Sequence, residues 1–160
     1  MITRRTFLHG AALTAATTIA IGNAHARQAD PDKTITVFKT PWCGCCQVWA
    51  DAMIAAGYSV ETRDVEDLSP IKRQAGVTDD LAACHTSVIG GERRYVLEGH
   101  VPLQAVEKLM REKPDIAGIA VPGMPAGSLG MGYEPDARYN VYAFSRQGGE
   151  PPSLFLRMGR

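Results

Sequence analysis

A chain of 160 residues with 17 basic and 17 acidic side chains carries no net charge, and its bases form no stripe. That excludes a polyanion such as nucleic acid as the partner. The length suits a single domain with one core, once an N-terminal leader is set aside.

The leader comes first in the chain. Arg4 and Arg5 form a twin arginine, the run from Ala11 to Ile21 is uncharged and apolar, and Ala24-His25-Ala26 fits a small-x-small cleavage rule. The apolar run is too short to span a bilayer, which needs about 18 residues. Residues 1–26 therefore read as a twin-arginine signal peptide, with export to a bacterial periplasm and no stable membrane insertion after cleavage. Cleavage removes two arginines and no acid, so the remainder is slightly acidic. In an oxidising compartment its four cysteines must pair, bind metal or cycle.

Residues 27–33 are a polar leader, and Thr34 to Lys39 reads as a buried strand. From Cys45 or Cys46 to Ala56, the apolar Val48, Trp49, Ala52, Met53 and Ala56 recur at helical spacing, and Gly57 stops the helix. Tyr58 to Val65 alternates as a second strand. A short helix follows around Pro70 to Gln74, with Ser69 as its expected N-cap and Gly76 at its end. Strands at Thr86 to Ile89 and Arg94 to Leu97 flank the hairpin signal Gly90-Gly91-Glu92. Pro102 opens a last long helix, with Val106, Leu109 and Met110 inward, ending near Pro114. The order β-α-β-α-β-β-α is that of a thioredoxin-like α/β domain over residues 34–114. Residues 115–160 form a C-terminal Gly/Pro/Met-rich extension with a further strand at Tyr139 to Ser145.

The chemistry concentrates in Pro41-Trp42-Cys43-Gly44-Cys45-Cys46, at the tip of the first strand and the start of the first helix. Inert core cysteines are usually solitary, so three together point to redox partners or soft-metal ligands. A helix N-terminus carries partial positive charge, which stabilises a thiolate placed there. Cys43 and Cys46 form a C-x-x-C pair in which one thiol can attack and the other resolve. Cys45 departs from that redox pattern. Three thiolates converging on one tip repel unless a cation neutralises them, and Cu(I) prefers sulfur at low coordination number. Adjacent Cys45 and Cys46 point in different directions, which suits bridging in a polynuclear copper site.

Cys84-His85 precedes the third strand, where this chain order passes across the helix tip, so both join the candidate ligands. His100, in Glu98-Gly99-His100-Val101-Pro102, is either a further ligand or a polar residue at a helix start. Met124 and Met131 sit among glycines and prolines that form no helix or central strand, so they read as thioether donors on a loop. Thioethers favour Cu(I) and disfavour zinc.

Together these motifs resemble the CopG-type family of periplasmic copper-resistance proteins. The motifs are Lys39-x-Pro41-x-Cys43-Gly44-Cys45-Cys46-x-x-Trp49, Cys84-His85-Thr86, Glu98-Gly99-His100-Val101-Pro102, and Val121-Pro122-Gly123-Met124-Pro125-x-Gly127-Ser128-x-Gly130-Met131. The resemblance runs from about Thr34 to Met131. It implies a thioredoxin-like domain with an extension, copper bound beside the CxCC motif, a role in copper handling or Cu(I)/Cu(II) interconversion, and periplasmic copper export or oxidation components as partners. Two departures stand out. Ala52 lies where members often carry His, and Leu129 where they often carry Pro. Two other functions use the same residues: a metal-independent thiol-disulfide oxidoreductase with Cys43 as nucleophile and Cys46 as resolver, and a passive copper chaperone or buffer.

Overall fold

The computed structural model describes residues 30–146 and 149–159, so the signal segment expected at 1–26 lies outside the described residues. Among them no helix is long and apolar enough to cross a membrane. The described chain is a mixed α/β fold in chain order: β1 (Thr34–Lys39), α1 (Gly44–Ala55), β2 (Ser59–Asp64), α2 (Ser69–Gln74), β3 (Thr86–Ile89), β4 (Tyr95–Glu98), α3 (Leu103–Glu112), β5 (Gly118–Ala120), β6 (Tyr139–Phe144) and β7 (Ser153–Met158). One seven-stranded sheet runs in the order β2-β1-β3-β4-β5-β6-β7. β1 and β2 are parallel, β3 is antiparallel to β1 and β4, β4 and β5 are parallel, and β6 and β7 close the far edge antiparallel.

The sheet is larger than the sequence reading expected. Gly118–Ala120 is only three residues and shows no periodicity of its own, yet it pairs with β4 and β6. Ser153–Met158 follows two prolines and lacks strict alternation, and β6 supplies its partner. Tertiary pairing rather than local pattern makes these two strands.

Strand alternation decides which side chain meets which helix. On one sheet face Ile35, Val37, Ile89, Leu97, Ile119 and Val141 join Trp49, Ala50 and Met53 of α1 and Val106 and Leu109 of α3 in the main core. At roughly 25 cal/mol per Å2 of apolar surface, this burial is the chief stabilising term. On the other face Ala120 and Phe144 pack with Val77 and Leu81 beyond α2 in a smaller cluster. His85 and Ser87 point to the α1 side of the pleat, and Thr86 to the α2 side.

α1 begins one or two residues earlier than expected, with Cys43 in the capping position and no acidic residue in the first turn. Gly57, at φ +90°, ends it as expected. Val48 is half-exposed rather than core, and the inward row is Cys46, Trp49, Ala50 and Met53. At α2 the expected cap is displaced. Ser69 is the first helical residue and Leu68 holds the cap position, while Asp67, one residue before it, accepts the Ser69 N–H on Oδ1 at 2.9 Å. A carboxylate two residues upstream satisfies the orphan amide, which leaves the serine free to enter the helix.

Candidate metal centre

Three chain segments meet at the tip of α1. The turn Thr40 to Cys43 closes with the Cys43 N–H donating to the Thr40 carbonyl at 3.1 Å, and the helix follows at once. This lifts Cys43, Cys45 and Cys46 to the end of the helix, while the strand order carries Cys84 across it. The sulfurs of Cys43, Cys45, Cys46 and Cys84 lie within 4.8 Å of one another. Cys43 and Cys46 are joined in a disulfide with Cα atoms 5.4 Å apart, and Cys45 and Cys84 are free thiols. Cys45 Sγ stands 3.6 Å from Cys43 Sγ. Only Cys45 has a hydrogen to share there, because a disulfide sulfur carries none.

A second group overlaps the first. Donor atoms of Cys84, His85 and His100 also lie within 4.8 Å of one another, so Cys84 belongs to both sets. Both imidazoles are fully buried, edge to face at 5.1 Å. His85 also packs on the Trp49 ring at 4.7 Å, and the Trp49 N–H donates to the Val101 carbonyl at 2.8 Å.

The hydrogen bonds fix the state of His100. Its Nδ1 lies 2.7 Å from the Leu129 carbonyl oxygen, which can only accept, so Nδ1 carries the proton. In the neutral ring Nε2 is then a bare lone pair, and it faces Cys84 Sγ at 2.9 Å. A ring whose other nitrogen donates to a backbone carbonyl is the usual arrangement of a metal-binding histidine. His85 has its Nδ1 3.5 Å from Cys84 Sγ, and its buried Nε2 has no hydrogen-bond partner. A buried nitrogen without a partner costs free energy unless something fills the place.

The electrostatics keep the site neutral. Burial, with the neighbouring His100 and Lys72 adding to it, pulls His85 down to about 3. Burial also lowers His100. Burial, followed by the charge of Cys45, pushes the Cys84 thiol up to about 12. Both imidazoles are thus neutral at neutral pH, each with one lone pair to give, and Cys84 gives up its proton only to a strong competitor.

The glycine-rich loop does fold against the helix tip. At Gly130, φ +91°, a Cβ would stand 2.9 Å from the Cys45 carbonyl and 3.2 Å from His100 Nδ1, so only glycine allows the approach. Leu129, where a departure from the family pattern was noted, contributes its backbone carbonyl to His100. Met131 is half-buried beside Gly130, and Met124 is half-exposed. Met124 follows Gly123, which bridges in parallel to Ala83. Ala52 is half-buried one turn beyond Trp49, with no donor to offer.

The sequence reading did not find the brace behind Cys84. Glu98, fully buried on β4, accepts from Lys72 Nζ, from the Ala83 N–H at 2.7 Å and from the Thr86 hydroxyl at 2.7 Å. Its sequence signals were an acidic residue at the end of an apolar strand and its place at the head of the Glu98-Gly99-His100-Val101-Pro102 motif.

Known proteins show the same architecture. The copper resistance protein CopG, form 1, matches with 37% identity over 79% of this chain and 98% of its own, at a TM-score of 0.70. Form 2 matches with 38% identity over 78% of this chain and 96% of its own, at a TM-score of 0.69. The chain belongs to the CopG family. A family model described as a protein of unknown function, DUF411, matches residues 81–131, a span that takes in Cys84, His85, His100 and the methionine loop. No curated protein sequence matches.

Proposed function

We propose that this chain is an exported, periplasmic copper-handling protein of copper resistance. It holds copper through Cys43, Cys45, Cys46 and Cys84, with His85 and His100 completing the site and the methionine loop closing over it. The observation that carries this reading is the meeting of four sulfurs and two neutral imidazoles on one helix tip, with His100 Nε2 left bare by the Leu129 carbonyl. The donor set fits the ion: thiolate sulfur and imidazole are soft to borderline, with no carboxylate oxygen among them, and Cu(I) takes them at low coordination number. The kinship with a copper resistance protein supports the same assignment. The twin arginine and the cleavage pattern at 24–26 support export. The β2-β1-β3-β4 half of the sheet, with α1 at the tip of β1, supports a thioredoxin-like unit extended by β5, β6 and β7.

Shared sulfurs make the site polynuclear, since four thiolates and two imidazoles are too many donors for one low-coordinate ion. Because both Cu(I) and Cu(II) accept imidazole, the mixed donor set also suits interconversion of the two. Anaerobic titration of the fully reduced protein tests the reading. More than one Cu(I) binds per chain in competition with Zn(II); zinc retention or absence of copper binding overturns it.

The Cys43–Cys46 disulfide favours a second reading, a thiol-disulfide oxidoreductase. Cys45→Ser separates the two. Copper binding falls sharply if Cys45 bridges ions, whereas a dithiol enzyme keeps its reductase activity.

A further inference from the structure

Glu98 and Lys72 form an ion pair that the core does not need. Glu98 is fully buried and the Lys72 side chain is 15% exposed, on the α2 face of the sheet where the neighbours are Val96, Ala120 and Phe144. Removing two charges from water costs more than an apolar pair of the same bulk, so stability alone does not account for it. Burial raises the Glu98 carboxyl, and Lys72, Thr86 and the Ala83 amide pull it back.

What this ion pair provides is direction. Both oxygens of Glu98 are committed. Oε1 takes Lys72 and the Ala83 amide, and Oε2 takes the Thr86 hydroxyl, which also accepts from Lys72 Nζ at 3.2 Å. Ala83 and Thr86 bracket Cys84 and His85. The next residue along β4, Gly99, closes the other side: at φ +71° a Cβ there would stand 2.5 Å from the Ala83 Cβ and 2.6 Å from the Val121 carbonyl. Ala83 is therefore fixed by a charge at its amide and by a bare backbone at its methyl. One residue further on, His100 presents Nε2 to the Cys84 sulfur.

We propose that Glu98 is a positioning residue for the Cys84 thiol: its buried carboxylate, steadied by Lys72 and Thr86, holds the Ala83 N–H and so sets where Cys84 meets Cys45 and His100. This rests on the copper reading only for its consequence, that the two donor groups share a correctly placed Cys84. The placement itself is a property of the metal-free chain.

Alkylation of the metal-free, disulfide-containing chain by iodoacetamide tests it. In a Cys45→Ser background Cys84 is the free thiol among the described residues, and in a Cys84→Ser background Cys45 is. Glu98→Gln raises the Cys84 rate about tenfold, the size expected for loss of a charge-assisted hydrogen bond. Thr86→Val, which leaves both charges in place, raises it about fivefold. Neither changes the Cys45 rate more than about twofold, the scatter of a single weak contact. An equal rise at both thiols means general loosening and overturns the proposal. So does a rise in Glu98→Gln alone, which would trace to the freed Lys72 charge. Should Glu98→Gln fail to fold, Thr86→Val decides by the same comparison. A wild-type chain that binds no copper sinks the earlier reading and leaves this comparison standing.

Discussion

The two halves of the candidate centre are built differently. The sulfur half, Cys43, Cys45 and Cys46, sits at the first turn of α1, with Cys43 and Cys45 partly exposed and Cys46 buried, and Cys43 and Cys46 are joined to each other. The imidazole half, His85 and His100, is fully buried: His85 packs on Trp49, whose own N–H is held by the Val101 carbonyl, and His100 is held by the Leu129 carbonyl. One half can change its covalent state with little movement of the fold; the other is held in one geometry and one protonation state. Cys84 belongs to both, and the contrast between them can be broken or sharpened at particular residues.

The largest effect belongs to the shared residue. Cys84→Ser weakens copper binding by the reduced protein by more than about a hundredfold, because loss of a donor exceeds the 10–100-fold cost of losing a supporting contact. Cys45→Ser costs less, since it touches the sulfur half alone. Competition against a chromophoric Cu(I) chelator ranks the two, and equal losses would erase the distinction between the halves.

Next comes the lock on the buried half. Trp49→Phe leaves the Val101 carbonyl without its donor and lowers unfolding stability in urea by about 1–3 kcal/mol from that contact alone. The Cys43–Cys46 pairing should be unaffected, as titration of free thiols before and after would show.

Protonation sharpens the contrast further. An unfolded histidine binds a proton near pH 6.5, and folded His85 does so only near 3. The unfolded chain therefore holds more protons between those values, and metal-free stability falls as pH drops through that window. His85→Phe fills the place with an apolar ring, removes the unpartnered Nε2 and flattens the dependence. A melting midpoint as steep with pH in His85→Phe as in the wild type would show that other groups carry it. His100, lowered in the same direction, adds to that slope.

The smallest effect lies at the rim. Replacing Met124 and Met131 together by leucine changes unfolding stability by about 0.5 kcal/mol or less, since neither is fully buried and leucine keeps their apolar bulk. Cu(I) affinity or the copper redox potential shifts if the sulfurs are donors. A large drop in melting temperature with normal copper binding would make them packing residues.

The frame of this molecule was legible where periodicity was strong. β1, α1, the β3–β4 hairpin and α3 followed from alternation, helical spacing and the glycines at 57 and 90. β5 and β7 were not, because three residues carry no period and an edge strand takes its conformation from its neighbour. At the site, the CxCC cluster and Cys84 could be brought together from chain order alone. What the sequence left open was whether Cys43 and Cys46, its C-x-x-C pair, stand joined or free, and it did not disclose the carbonyl of Leu129 or the reach of Glu98 to Ala83. These depend on backbone atoms and on which of several nearby sulfurs lie closest, and residue identity encodes neither.

The two tryptophans fall on opposite sides of this construction. Trp42, 72% exposed, stands directly before Cys43, and Trp49, wholly buried, packs against His85. An indole in water emits at longer wavelength than one in an apolar core, so the chain has two optical reporters of separate colour, one for each half. Selective quenching of the red or the blue component during copper loading would time the filling of the thiol face against that of the imidazole face, with no label attached.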